Sequence, residues 1–124
     1  TPLFPRGRKG LADMICFLRG GGMVGVVLDQ SMGDGAMLKF FGQDALTSLS
    51  PAEMALRYDA LIIPTYGIRR ADGGFDMVIE APIPHSTPEA MTQALNDSLE
   101  AQVRAHMDQW LWTHRRWKTV NKTW

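Results

Sequence analysis

The sequence predicts an α/β fold, a small mixed sheet with helices packed on it. Three observations carry this. Residues 23–28, Met-Val-Gly-Val-Val-Leu, form an unbroken apolar run, the pattern of a strand buried on both faces. Residues 61–70 and 75–81 read as strands, with Asp72-Gly73-Gly74 between them as a hairpin signal. Leu11, Met14, Ile15 and Leu18 recur at helical spacing, and so do Met91, Leu95, Leu99 and Val103, helped by Ala94.

Taken in order, residues 1–9 are a loop with Pro, Gly and the basic residues Arg6, Arg8 and Lys9. The first helix stops at Gly20-Gly21-Gly22, because glycine tolerates the left-handed conformation of a helix C-terminus. Three glycines also suggest a phosphate loop, but such loops run strand, loop, helix. Here the order is helix, glycines, strand, so that reading is rejected. The apolar run delivers Asp29 and Gln30 to its carboxyl end, where open α/β sheets bind ligands. A turn-capping role suits Asp29 equally well. Residues 31–37, with Gly33 and Gly35, read as a mobile loop.

Residues 38–41 are short and apolar, closed by Gly42. Phe40 and Phe41 could line a groove and could equally be ordinary core; adjacent strand residues face opposite ways, so one of them is expected in each environment. Ser50-Pro51-Ala52-Glu53 starts a helix, with Ser50 capping, Pro51 at the first helical position and Glu53 bonding back. It runs to about Tyr58 with Ala52, Ala55 and Leu56 inward. Arg69 and Arg70 end the next strand. A solvated hairpin tip is the simpler reading for them, and a phosphate contact is the other. Residues 82–85 are an extended linker. Ser86-Thr87-Pro88-Glu89 starts the last helix as the earlier one starts, and that helix ends near His106.

The final segment, 109–124, is apolar and cationic at once. Trp110, Trp112 and Trp117 interleave with His114, Arg115, Arg116 and Lys118, and no acidic residue follows Asp108. Trp and Arg combine a buried body with a wet polar end. Packing on the chain's own domain is one reading of this segment, and docking onto something anionic is the other. If the tail is extended, Trp110 and Trp112 share a face. At least one of them is expected to be mostly buried, with Arg115, Arg116 and Lys118 left solvent-accessible as a cationic rim.

Composition narrows the classes. With 124 residues, 45% hydrophobic and 21% charged, the chain is one modest domain and not a disordered segment. Thirteen basic and thirteen acidic residues cancel, which argues against nucleic acid as a partner. One cysteine, Cys16, allows no internal disulfide and no cysteine metal cluster. The apolar runs are far short of the roughly 20 residues that span a bilayer. The chain does not begin with Met and reads as a piece of a longer protein.

Three stretches carry a family resemblance. Gln109-Trp110-x-Trp112-x-His114-Arg115-Arg116-Trp117-Lys118 resembles the C-terminal signature of the bacterial lipid A biosynthesis acyltransferases. Met107-Asp108-Gln109-Trp110 stands where the family commonly has Pro-Glu-Gln-aromatic. Asp29-Gln30 resembles its Asp-Gln turn. Phe40-Phe41-Gly42 with Ala45 and Thr47 resembles its Phe-Phe-Gly-x-x-Ala-x-Thr segment. Order and spacing agree from about Phe4 to Lys118. The resemblance implies part of a glycerolipid-acyltransferase-like domain over 1–124. It implies transfer of a fatty acyl chain from acyl carrier protein to a phosphorylated glycolipid, at the cytoplasmic face of the bacterial inner membrane, with no cofactor or metal.

The resemblance nominates Asp29 and Gln30 to line the site, Phe40 for the acyl chain, and Arg69, Arg115, Arg116 and Lys118 for phosphate. Acyl transfer also needs a base. In the resembled family this is a His with an acid five residues on. Five residues after His85, His106 and His114 stand Ala90, Leu111 and Thr119, so no catalytic residue is expected in this chain, and alone it should be inactive. Other chemistries fit less well. A thiol nucleophile needs an activating environment, whereas Cys16 lies inside an amphipathic helix and is expected to be packed. Ser31, Ser86 and Ser98 lack the strand-turn-helix elbow of serine hydrolases, and no zinc spacing is present. The alternative is a non-catalytic module that docks anionic lipid or a protein partner through its tail.

Overall fold

A computed structural model describes residues 2–29, 31 and 33–117. Its elements in order are α1 (Arg8–Arg19), β1 (Ala36–Phe40), β2 (Gln43–Thr47), α2 (Ser50–Tyr58), β3 (Thr65–Arg69), β4 (Phe75–Ile79) and α3 (Pro88–Ala105). A 3-10 turn, Met107–Gln109, follows. The α/β class holds. In place of one mixed sheet, the described residues form two separate antiparallel hairpins, β1–β2 and β3–β4.

Helix α1 ends as its glycines dictate. Gly22 N donates to Phe17 O and Gly21 N to Leu18 O, with Gly21 at φ 88°. This pairing satisfies two carbonyls that a helix end leaves orphaned. The stripe of α1 is only half covered: Leu11 is exposed, and Met14, Ile15 and Leu18 are half-buried. The expected strand at 23–28 does not form. It has no ladder partner, and Met23 is 91% and Val27 72% exposed. A strand buried on both faces needs neighbours on both sides, and none of the described strands lies beside it.

Helix α2 departs from its predicted start. Leu49 already has helical backbone angles and no side chain caps the helix. The turn thus begins one residue early, and the Ser50 hydroxyl no longer sits at the capping position. In α3 the cap is made: Thr87 Oγ1 accepts from Ala90 N at 3.1 Å, with Pro88 next in line. Ala52 and Ala55 of α2 pack on Met91 of α3, flanked by Leu56, Ala60, Ile62 and Ile83. Two small residues on α2 let the helices approach closely enough to enclose Met91.

The β3–β4 hairpin turns at residues 70–74, where Arg70 N donates to Gly74 O. Asp72 Oδ1 accepts from Gly74 N at 2.9 Å and Arg70 Nε at 3.1 Å. One hairpin face meets α3: Tyr66 Oη and Ser98 Oγ are 2.6 Å apart, and Ser98 Oγ donates to Glu80 Oε2 at 2.6 Å. The alternate residues Phe75, Met77 and Ile79 are exposed on the other face.

Both hairpins are met by a glutamine amide. Gln93 Oε1 accepts from Lys39 N and its Nε2 donates to Lys39 O, each at 2.9 Å. Gln109 treats the Arg69 backbone likewise, at 2.8 and 3.0 Å.

Candidate functional site

The site grows from a two-residue turn. Register pairs Phe40 with Gln43, leaving Phe41 and Gly42 as the loop, at φ 52° and 72°. Both values are positive, as a type I′ hairpin turn requires. Glycine meets this freely, whereas a bulky residue with positive φ needs support from outside. Phe41 receives it from α3: its amide donates to Glu100 Oε1, and the Arg104 guanidinium lies 4.6 Å from its ring centroid.

This turn places Phe40 inward, at 1% exposed. Its ring lies 5.5 Å from both Trp110, edge-on, and Trp117, stacked. Trp117 Nε1 donates to Phe40 O at 3.0 Å. Phe40, expected either in a groove or in the core, is found in the core. It is the centre of an aromatic core, and Phe41 is the half-buried one of the pair.

Residues 110–117 of the tail form neither a strand nor a helix. They fold back in short turns, with Trp112 N donating to Trp110 O, His114 N to Leu111 O and Arg116 N to His114 O. The Trp110 and Trp112 rings meet edge-on at 4.8 Å. Trp110 is half-buried and Trp112 is 46% exposed.

Arg116 overturns a second expectation. It is not on a cationic rim but 0% exposed. Nη1 donates to Leu46 O and Nη2 to Thr47 Oγ1, both at 2.8 Å, and its cation lies 5.4 Å from the Phe40 ring centroid. Thr47 Oγ1 donates to Ala45 O at 3.0 Å and also accepts from Asn96 Nδ2 at 3.3 Å. The hydroxyl thus uses its one donor and two acceptor positions.

Asp29 lies in a bend, half-buried, and not at the end of a strand. Two residues on, Ser31 N donates to His114 Nε2 at 3.0 Å. Asp29 Oδ1 and Arg116 Nε are both sealed from solvent, and neither has a hydrogen-bond partner among the described residues. Burial pushes the Arg116 guanidinium below its ordinary value, and the nearby Asp29 charge pulls it back up.

Of the remaining expected residues, Arg115 and Arg69 are exposed. Arg69 sits at the hairpin end with its backbone held by Gln109. Gln30 and Lys118 lie outside the described residues, as do the tail positions beyond them to 124. The concave surface lined by Arg19, Arg57, Tyr58 and Asp59 contains none of the expected site residues. Among the described residues no cluster of His, Cys, Asp or Glu could hold a metal, and no helix is long and apolar enough to cross a membrane.

Sequence reasoning missed Thr47, Asn96, Ser31 and His114 as parts of this assembly. For Thr47 a signal existed, since it closes one of the three stretches singled out in the sequence. The structure brings those stretches together: His114 reaches Ser31, two residues from Asp29, and Arg116 and Trp117 reach β2 and β1. A family model described as bacterial lipid A biosynthesis acyltransferase matches residues 3–119. Comparison with curated proteins gives no match.

Proposed function

The chain belongs to the bacterial lipid A biosynthesis acyltransferase family, and on that premise we propose that it is the C-terminal part of an enzyme acylating a lipid A precursor or similar glycolipid. The donor is the thioester of acyl carrier protein. The acceptor hydroxyl attacks the thioester carbon, its proton passes to a base, and the carrier thiol leaves. No His of this chain has an acid five residues on, so the base comes from outside these 124 residues, and the isolated chain is inactive.

One observation carries the reading. The Asp29 turn and the tail, far apart in sequence, close on each other through Ser31 and His114. In this reading the Asp29 turn, with Gln30, borders the acceptor. Exposed Arg69 and Arg115, with Lys118, offer donors to its phosphate, a role for which the planar guanidinium is suited. Work at the cytoplasmic face of the inner membrane belongs to the same proposal.

The test is turnover of an acyl carrier protein thioester with a phosphorylated glycolipid. The intact enzyme forms the acylated product and the isolated 124-residue chain does not. Turnover by the chain alone would place the base within it and overturn the proposal. In the intact enzyme, Asp29→Asn lowers turnover more than it lowers stability.

A further inference from the structure

Arg116 is a full charge in the protein interior. Taking a cation out of water is expensive unless hydrogen bonds and a counter-charge offset the cost. Two of its donors are committed to β2, through Leu46 O and Thr47 Oγ1. Those bonds, and the aromatic wall of Phe40, fix the plane of the guanidinium. The third edge, Nε–H, is buried and unspent, and so is Oδ1 of Asp29. The two sides meet where His114 holds Ser31 by its backbone amide, two residues from each orphaned group. No hydrogen bond or ion pair joins Arg116 to Asp29, and the Asp29 charge acts on the guanidinium through space.

We propose that Arg116 is a positioning residue for Asp29: clamped to β2 and buried, its cation orients the Asp29 carboxylate through charge and not through a direct hydrogen bond. A fork-shaped guanidinium can hold β2 with two nitrogens and so keep that charge fixed. A lysine ammonium, a single point donor, carries the charge without the clamp. Arg116 touches no substrate in this proposal and acts only through Asp29. It rests on the reading above that Asp29 borders the acceptor.

A double-mutant cycle in the intact enzyme tests it, with Asp29→Asn, Arg116→Gln and the pair together. Each single change is expected to lower kcat/KM by about tenfold or more, with kcat carrying most of the loss. The double variant then falls no more than about threefold below the worse single, because both changes remove one interaction. Arg116→Lys, which keeps the charge, recovers part of kcat. Losses that multiply in the double variant would overturn the proposal and leave Arg116 a purely structural clamp. If Arg116→Gln does not fold, Arg116→Lys takes its place in the same cycle. Absence of turnover by the unmutated enzyme would count against the acyltransferase reading alone. In that case the cycle is read from unfolding midpoints, where non-additive shifts support the Asp29–Arg116 coupling and additive shifts overturn it.

Discussion

Residues 2–29 and the block of β1, β2, α3 and the folded tail are both rich in apolar side chains, yet their structures differ. In the block, Phe40 is enclosed by Trp110 and Trp117, and its carbonyl accepts from an indole N–H. Glu100, Asn96 and Gln93 of α3 then satisfy the backbone around it. In the N-terminal part only Gly10 of α1 is buried, and Met23, Val26 and Val27 face solvent. Apolar patterning states which residues favour burial. Whether they achieve it depends on polar groups that satisfy the backbone nearby, and the block has them at each strand.

The contrast can be broken experimentally. Phe40→Ala is expected to destabilise the chain by about 3–5 kcal/mol, the cost of an aromatic cavity, measured by denaturant unfolding. Val27→Ala, also an apolar truncation, should move stability by no more than about 0.5 kcal/mol. Similar losses at both positions would erase the distinction. Asn96→Ala strips partners from Lys39 O and Thr47 Oγ1 within the block, and about 1–3 kcal/mol is expected. Thr87→Ala removes the α3 cap and should cost about 1 kcal/mol, read as a lower thermal midpoint.

The smallest effect concerns the β3–β4 turn and depends on pH. The Gly74 amide, then Arg70, holds the Asp72 carboxyl below its ordinary value of 3.8. A carboxylate depressed in the folded state adds stability above its ordinary value and loses it as pH falls through the folded one. Asp72→Asn should therefore flatten the acid limb of the unfolding curve, by slightly lowering stability at neutral pH, where the carboxylate contributes, and leaving the acid end close to that of the parent. A steeper acid limb would show that the turn is not held by the Asp72 carboxylate.

Local signals were legible. The glycine stop of α1, the Asp72-Gly73-Gly74 turn and the span of α3 each follow from a few neighbouring residues, and each appears in the structure. Non-local pairings were not. The strand at 23–28 depends on neighbours that no local pattern supplies. Arg116 finds Leu46 O across 70 residues, and arginine is so seldom fully buried that sequence alone favours exposure. At the candidate site the three stretches could be picked out one by one, but their convergence through His114 and Arg116 could not. Nothing near Asn96 in the sequence points to the Thr47 hydroxyl it bonds.

The two glutamine amides have one more consequence. A primary amide offers the same donor and acceptor as a peptide unit, so Gln93 beside Lys39 and Gln109 beside Arg69 act as one-residue surrogate strands. Unpaired strand edges invite another chain to add itself, the first step toward cross-β stacking. At these two positions the invitation is already answered from within the molecule. The chain therefore carries its own plugs against self-association, and they sit on the last helix and the turn after it. A molecule whose C-terminal third has not yet docked would expose both hairpin edges to its neighbours, so the hazard of aggregation is greatest before that docking is complete.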